Sequence, residues 1–183
     1  VSVFNDVSSE MIYPLLPTFL VRVRGASLPA VGLIEGTAES VNSFIKLFAG
    51  NLSDRLGRRK PLVAFGYGLA SLARPLIAGT GAVWQVLALR LTERVGKGIR
   101  SAPRDALLAQ SAPPDARGLA FGTQRALDHA GALVGPVIAG ALLLFVTRDL
   151  RLVFALSAIP AALTLIVLWR AVGEVPLAGA GTA

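Results

Sequence analysis

The sequence predicts an all-α membrane protein, a bundle of six transmembrane helices. Three observations carry that expectation. Of 183 residues, 54% are hydrophobic and only 16% are charged, with a mean hydropathy of +0.63. A soluble domain carries about 25% charge, so the charge here is too sparse to cover a water-facing surface. Six stretches approach the length needed to cross the hydrocarbon layer, about 20 mostly apolar residues each. Nothing alternates with period two over the length of a barrel strand, which favours helices over a β-barrel.

The spans run roughly over 1–21, 30–50, 61–80, 84–104, 119–147 and 151–171. The first holds Asp6 and Glu10 and two prolines, Pro14 and Pro17, which can kink it. It ends in the turn Arg24-Gly25-Ala26-Ser27-Leu28-Pro29. The second carries Glu35, Glu39 and Lys46 and runs into a basic loop from Asp54 to Pro61. The third holds Arg74 and Pro75 and closes on Gly79-Thr80-Gly81. The fourth is heavily charged, with Arg90, Glu93, Arg94, Lys97 and Arg100, and contains Pro103. A proline-rich break, Ser111-Ala112-Pro113-Pro114-Asp115, separates it from the fifth, which carries Arg125, Asp128 and His129. The link Arg148-Asp149 is so short that the fifth and sixth helices must lie antiparallel and adjacent. Only the sixth, which contains Pro160, is free of ionisable groups across its middle.

Composition also excludes several functions. High hydrophobicity rules out intrinsic disorder. With no cysteine, disulfide frameworks, zinc fingers, iron–sulfur sites and cysteine nucleophiles are excluded, and one histidine cannot build a multi-histidine metal site. No metal or cofactor is expected. The net charge of +7 would suit a nucleic-acid binder, but six apolar spans leave no soluble domain to carry that function. An enzyme finds no support either: Gly96-Lys97-Gly98 lacks the upstream glycine and the following Ser or Thr of a phosphate loop.

Orientation follows from the basic residues flanking the spans. With a cytoplasmic N-terminus, the inner side holds Arg55, Arg58, Arg59, Lys60, Arg104, Arg117 and Arg170, against Arg22, Arg24, Arg148 and Arg151 outside, seven against four. The expected protein is multi-pass in the plasma or inner membrane. The chain opens inside an apolar span, and residues 173–183, rich in Gly, Ala and Pro, resemble the start of a flexible linker. Residues 1–172 are therefore expected to be half of a larger bundle.

At helical spacing the charges fall into stripes. Arg90, Glu93, Arg94, Lys97, Arg100 and Arg104 share one face of the fourth span. Asp6, Ser9, Glu10 and Tyr13 share a face of the first, and Glu35, Glu39, Asn42, Ser43 and Lys46 a face of the second. Each such residue at a helix centre costs about 2.5–3.5 kcal/mol of insertion free energy, so the stripes must face protein or a wet cavity. Two readings stand. The stripes are ion pairs that hold helices in register, with Glu93 or Asp6 against Arg94 or Lys97. Alternatively they line an aqueous cavity in which Asp6, Glu10, Glu35, Glu39, Arg90, Glu93, Arg94, Lys97 and Asp128 bind substrate or carry protons. The cationic fourth span then favours an anionic or zwitterionic solute. His129 points about 100° away from Asp128 and is read as a helix-contact residue.

The loop Gly50-Asn51-Leu52-Ser53-Asp54-Arg55-Leu56-Gly57-Arg58-Arg59-Lys60 has a specific spacing that a simple positive-inside anchor would not require. It resembles the cytoplasmic loop between helices two and three of the major facilitator superfamily of secondary transporters, Gly-x-Leu-(Ser/Ala)-Asp-Arg-x-Gly-Arg-(Arg/Lys). Arg90 to Gly98 is similar to that family's Arg-x-x-Gln-Gly-x-Gly stretch, departing at Glu93 and Arg94. Gly131 to Gly140 is similar to its antiporter-associated Gly-x-x-x-Gly-Pro-x-x-Gly-Gly stretch, departing at Ala139.

The resemblance implies an N-terminal six-helix half built from two inverted three-helix repeats, with the C-terminal half missing from the chain. It implies alternating-access transport of a small solute driven by an ion gradient, most simply protons, with export or antiport favoured. Gly50, Asp54, Arg55, Gly57, Arg58 and Arg59 would form the loop gate, with Asp54 against the opposing half and the arginines on nearby acids. Arg90 would be the buried arginine tied to proton coupling. Gly131, Gly135, Pro136 and Gly140 would form a hinge-capable helix contact, a role that plain small-residue packing shares. A non-transporting membrane receptor or scaffold of the same fold is the alternative.

Overall fold

The structure is a computed structural model that describes residues 1–56 and 59–171. Gly57, Arg58 and the expected linker at 173–183 lie outside the described residues. The described residues are almost entirely helical, in successive rods. The first rod is α1 (Ser2–Ile12), a 3-10 turn (Tyr13–Leu15), α2 (Leu16–Thr18) and a π-helical turn (Phe19–Val23). Pro14 and Pro17 sit where it departs from α-geometry, as their missing N–H groups require. Gly25, with φ of 67°, then takes the left-handed conformation that reverses the chain.

Four long helices follow: α3 (Leu28–Leu56), α4 (Lys60–Leu76), α5 (Val83–Ser111) and α6 (Arg117–Phe145). Pro61 occupies the first turn of α4, where no N–H partner is needed. Gln85 reaches back to the start of α5, its Oε1 accepting from the amides of Gly81 at 2.6 Å and Ala82 at 3.1 Å. The last rod is α7 (Leu150–Leu156) and α8 (Ala158–Ala171), capped by Asp149, whose carboxylate accepts from the Arg151 amide at 2.9 Å.

Three rods are long and apolar enough to cross a membrane by length and composition: Lys60–Gly79, Pro114–Phe145 and Leu150–Arg170. The first rod, α3 and α5 carry the charged stripes instead. These three reach the centre of the bundle: α5 packs against both α3 and α4, and α1 packs against α6 and α8. Large apolar side chains such as Leu33, Phe44, Phe48, Leu133, Leu144 and Trp169 point outward, a surface suited to lipid rather than water.

Backbones meet where side chains are absent. A Cβ on Gly96 would lie 2.7 Å from the Gly66 carbonyl oxygen, so α4 and α5 cross in direct backbone contact. A Cβ on Gly98 would lie 2.7 Å from Ile45 Cγ2 and 3.0 Å from the Asn42 carbonyl oxygen, which brings α3 equally close. Gly50, expected to permit such an approach, has only ordinary contact with Ala102 at 3.6 Å.

The largest apolar cluster lies at one end. Ile12, Leu16, Phe19, Leu20, Ile34, Ile77, Val86 and Phe154 are buried together beside the turns at 24–27, 80–82 and 147–149, with Phe19 and Phe154 rings 5.0 Å apart. A smaller one, Val63, Tyr67 and Leu168, lies toward the basic-loop end, beside a polar interior.

Candidate functional site

The deepest charges form a closed cluster. Glu93 on α5, 1% exposed, accepts from Arg74 Nε at 3.2 Å and from Arg90 Nη1 one turn before it. Arg90, 2% exposed, also grips Glu35 of α3 with two parallel bonds, Nε to Oε1 at 3.0 Å and Nη2 to Oε2 at 2.7 Å. Arg74 Nη1 donates to Asn5 twice, to the backbone oxygen at 3.1 Å and to Oδ1 at 2.9 Å. This network ties α1, α3, α4 and α5 at one point. It corrects the expected pairing of Glu93 with Arg94 or Lys97. The physical reason is direction: Glu93 turns toward Arg74 of α4 and back toward Arg90 on its own stripe, and away from Arg94 and Lys97.

Arg94 turns elsewhere. Its guanidinium lies 3.4 Å from Glu39 and 5.6 Å from the Tyr13 ring centroid, and Arg90 covers the same ring at 5.2 Å. Asp6 pairs with neither Arg94 nor Lys97; its carboxylate accepts from the Asn5 amide at 2.9 Å.

Beyond this cluster, toward the basic-loop end, lies a polar cavity of about 290 Å³. Asp6 and Glu10 line it from α1, Asn42 and Lys46 from α3, Lys97, Arg100, Arg104 and Asp105 from α5, and Arg125, Asp128 and His129 from α6. Arg104 is held by Asp105 at 3.0 Å, lies 3.8 Å from Asp128, and meets the Gln124 side-chain oxygen once that amide is turned. Arg100 sits 4.1 Å above the Tyr67 ring. His129 is exposed to the cavity, which corrects its expected role as a helix contact.

The expected hinge is placed in part. A Cβ on Gly131 would meet the Val3 carbonyl oxygen at 2.7 Å, and one on Gly135 would meet Glu10 Cβ at 2.8 Å, so α6 lies directly on α1. Pro136 follows within the helix. Gly140 has nothing within 4 Å of its Cβ position and is not part of the contact. Ala139, four residues beyond Gly135 on the same face, is buried there instead, among Val7, Met11 and Val153.

In the loop, Asp54 is bonded by Arg59 Nη2 at 3.1 Å, its side chain 71% exposed, and Arg55 is exposed beside it. Two site features had no sequence signal strong enough to find them. Asn5 is an ordinary residue in an apolar span, and Tyr67 looks like a core aromatic; Arg74 was visible only as a lone charge in an otherwise apolar helix.

The comparisons with known proteins agree on one family. The profile of the Major Facilitator Superfamily matches residues 1–181. An uncharacterized MFS-type transporter of Methanocaldococcus jannaschii is 37% identical over 169 residues, covering 92% of this chain and 42% of its own. A multidrug resistance protein, MdtH, of Photorhabdus laumondii is 30% identical over 133 residues, covering 73% of this chain and 33% of its own. The chain thus spans less than half the length of these relatives. Among solved structures, a peptide transporter, POT, in complex with sulfate superposes with a TM-score of 0.71 at 18% identity, over 92% of this chain and 36% of that one, and shares the fold. A chain whose helices gather their charges inward, and whose whole length matches this profile, belongs to the Major Facilitator Superfamily of integral membrane transporters.

Proposed function

We propose that the chain is the N-terminal six-helix half, residues 1–172, of a proton-coupled transporter that moves a small anionic or zwitterionic solute by alternating access. Its setting is the plasma or inner membrane, with a cytoplasmic N-terminus and a second six-helix half as partner. The observation that carries this reading is the polar cavity itself. Among the described residues it holds Lys46, Lys97, Arg100, Arg125, Asp6 and Glu10 outside any ion pair, while the largest apolar cluster fills the opposite end of the bundle. Charge that serves only to hold helices together would be paired, as it is at Glu93. Charge left facing a wet space is available to a solute or a proton.

The two carboxylates on α1 are the proposed proton carriers, because Glu35, Glu39 and Glu93 are engaged by arginines. Asp128 is a second-line candidate beside Arg104. Relatives named multidrug resistance proteins support the export direction. Asp54 and Arg59 at the basic loop would control the gate against the opposing half.

The full-length protein reconstituted in vesicles tests this. An imposed pH gradient should drive accumulation of a transported solute, and Asp6→Asn with Glu10→Gln should abolish the dependence on the gradient. Flux that ignores the gradient would refute proton coupling. Solute binding without flux would favour the receptor reading.

A further inference from the structure

We infer that the cavity is a dipolar site for a zwitterion, with Lys97 and Arg100 on α5 receiving its anionic end and Asp6 and Glu10 on α1 its cationic end. The inference deepens the transport reading and rests on it for the flux arm of its test.

The charges along α5 divide. Arg90 and Glu93 are consumed by the buried cluster and Arg104 is held by Asp105, while Arg94 lies 3.4 Å from Glu39 with its Nε unbonded among the described residues. Lys97 and Arg100 are left over. Among the described residues, neither comes within 4.0 Å of a carboxylate. Arg100 is 4% exposed, lines the cavity, and leaves Nε and Nη1 without a hydrogen-bond partner. The Tyr67 ring at 4.1 Å steadies the guanidinium but accepts no in-plane N–H bond. A buried donor without an acceptor is costly, so these N–H groups are directed at whatever fills the cavity, water or solute.

The α1 wall mirrors this. Glu10 has no ion-pair partner within 4.0 Å among the described residues, and Asp6 takes only the neutral Asn5 amide. Asp6 lies within Coulombic reach of Arg100, and Glu10 of Lys97, yet neither pair closes. Each wall is packed on a different neighbour: Gly131 and Gly135 bring α1 and α6 into backbone contact, and Gly66 and Gly96 do the same for α4 and α5. Opposite charges face each other across the cavity between them.

That geometry selects a ligand class. A simple anion would satisfy Lys97 and Arg100 while meeting two repelling carboxylates, and a simple cation would meet the reverse. A solute carrying both signs satisfies both walls. A cavity of about 290 Å³ has the volume of roughly ten water molecules in the liquid, enough for a small amino-acid-like compound.

The test uses the purified full-length protein and a ladder of ω-amino acids from glycine to 6-aminohexanoate, with hexanoate and hexylamine as single-charge comparators. Binding is read by calorimetry. One length should bind at least tenfold tighter than either comparator. Lys97→Gln and Glu10→Gln should each remove tenfold or more of that affinity with little change in melting temperature; both residues are only half-buried, so they carry the test better than Arg100. The inference is overturned if a comparator binds as tightly as every amino acid, or if no probe binds. It is also overturned if the double variant regains stability that each single variant loses, since that would mark a charge pair of another conformational state. Flux separates the two readings. Tight binding without transport refutes the transporter and leaves the dipolar site, whereas gradient-driven flux of another solute without ladder binding does the opposite.

Discussion

Arg74 and Glu93 meet across the α4–α5 crossing at 3.2 Å, each with 2% of its side chain exposed. They are among the most deeply buried charges of the described chain, and they sit where the two backbones are already in contact through Gly66 and Gly96. Removing one partner of a buried pair leaves an uncompensated charge, which costs about 3–5 kcal/mol, whereas removing both with apolar groups of similar volume is often neutral. Glu93→Leu should therefore lower the melting temperature strongly, and Arg74→Met added to it should recover part of the loss. A double variant less stable than the single would show that Arg74 is held by Asn5 rather than by Glu93.

Arg90 and Arg94 stand one turn apart and should behave differently. Arg90→Gln strands Glu35, leaves Glu93 with Arg74 alone, and should cost about 3–5 kcal/mol. Arg94 is buried but the Glu39 side chain is 56% exposed, so losing Arg94 leaves a solvated carboxylate and should cost about 1 kcal/mol. Arg94→Gln should unfold within a few degrees of the parent. Equal losses in a detergent melting assay would contradict this ordering.

Glycine substitutions in α6 provide a graded test of packing. Gly135→Ala pushes a methyl group onto Glu10 Cβ and the Val7 carbonyl oxygen, at 2.8 and 2.9 Å, and should cost about 1–3 kcal/mol through overpacking. Gly140→Ala enters open space and should be neutral or slightly stabilising, since alanine favours helix. Comparable destabilisation of both would mean that α6 is rotated from the register described.

The Asp54 carboxylate is 71% exposed, so its pair with Arg59 should contribute little to folding. Asp54→Asn in the full-length protein should insert and melt normally while depressing transport, because a gate contact acts only by favouring one state over another. Undiminished cycling would reduce the loop to an anchor.

Membrane sidedness is checked by introducing single cysteines at Gly57 and Gly81 of the cysteine-free chain. An impermeant thiol reagent should label Gly81→Cys from outside and Gly57→Cys only from the cytoplasm. Labelling of both from one side would refute the proposed threading.

Helix positions and the inward gathering of charge were legible because both obey local periodicity: a charged stripe at steps of three and four declares its face from sequence alone. The partners across that face were not. No spacing rule relates residue 74 to residue 93, so the sequence offers Glu93 only the cations of its own helix, and of these Arg90 is its partner. Gly140 illustrates the converse error. It belongs to a recognisable pattern, but it follows Ala139 by one residue, about 100° around the helix, and only the 131, 135, 139 row faces α1. Tyr67 and Asn5 acquire their roles only from what the fold places beside them.

The glycine crossings of α5 have a mechanical result. At Gly66, Gly96 and Gly98 no side chain separates α5 from α4 or α3, so sliding there by one residue would drive a Cβ into a carbonyl group. The three helices are thereby locked against slipping past one another, and Asn5, bonded to Arg74, fastens α1 to the same unit. The loosest neighbour of α5 is α6, whose sparse contact with it borders the polar cavity.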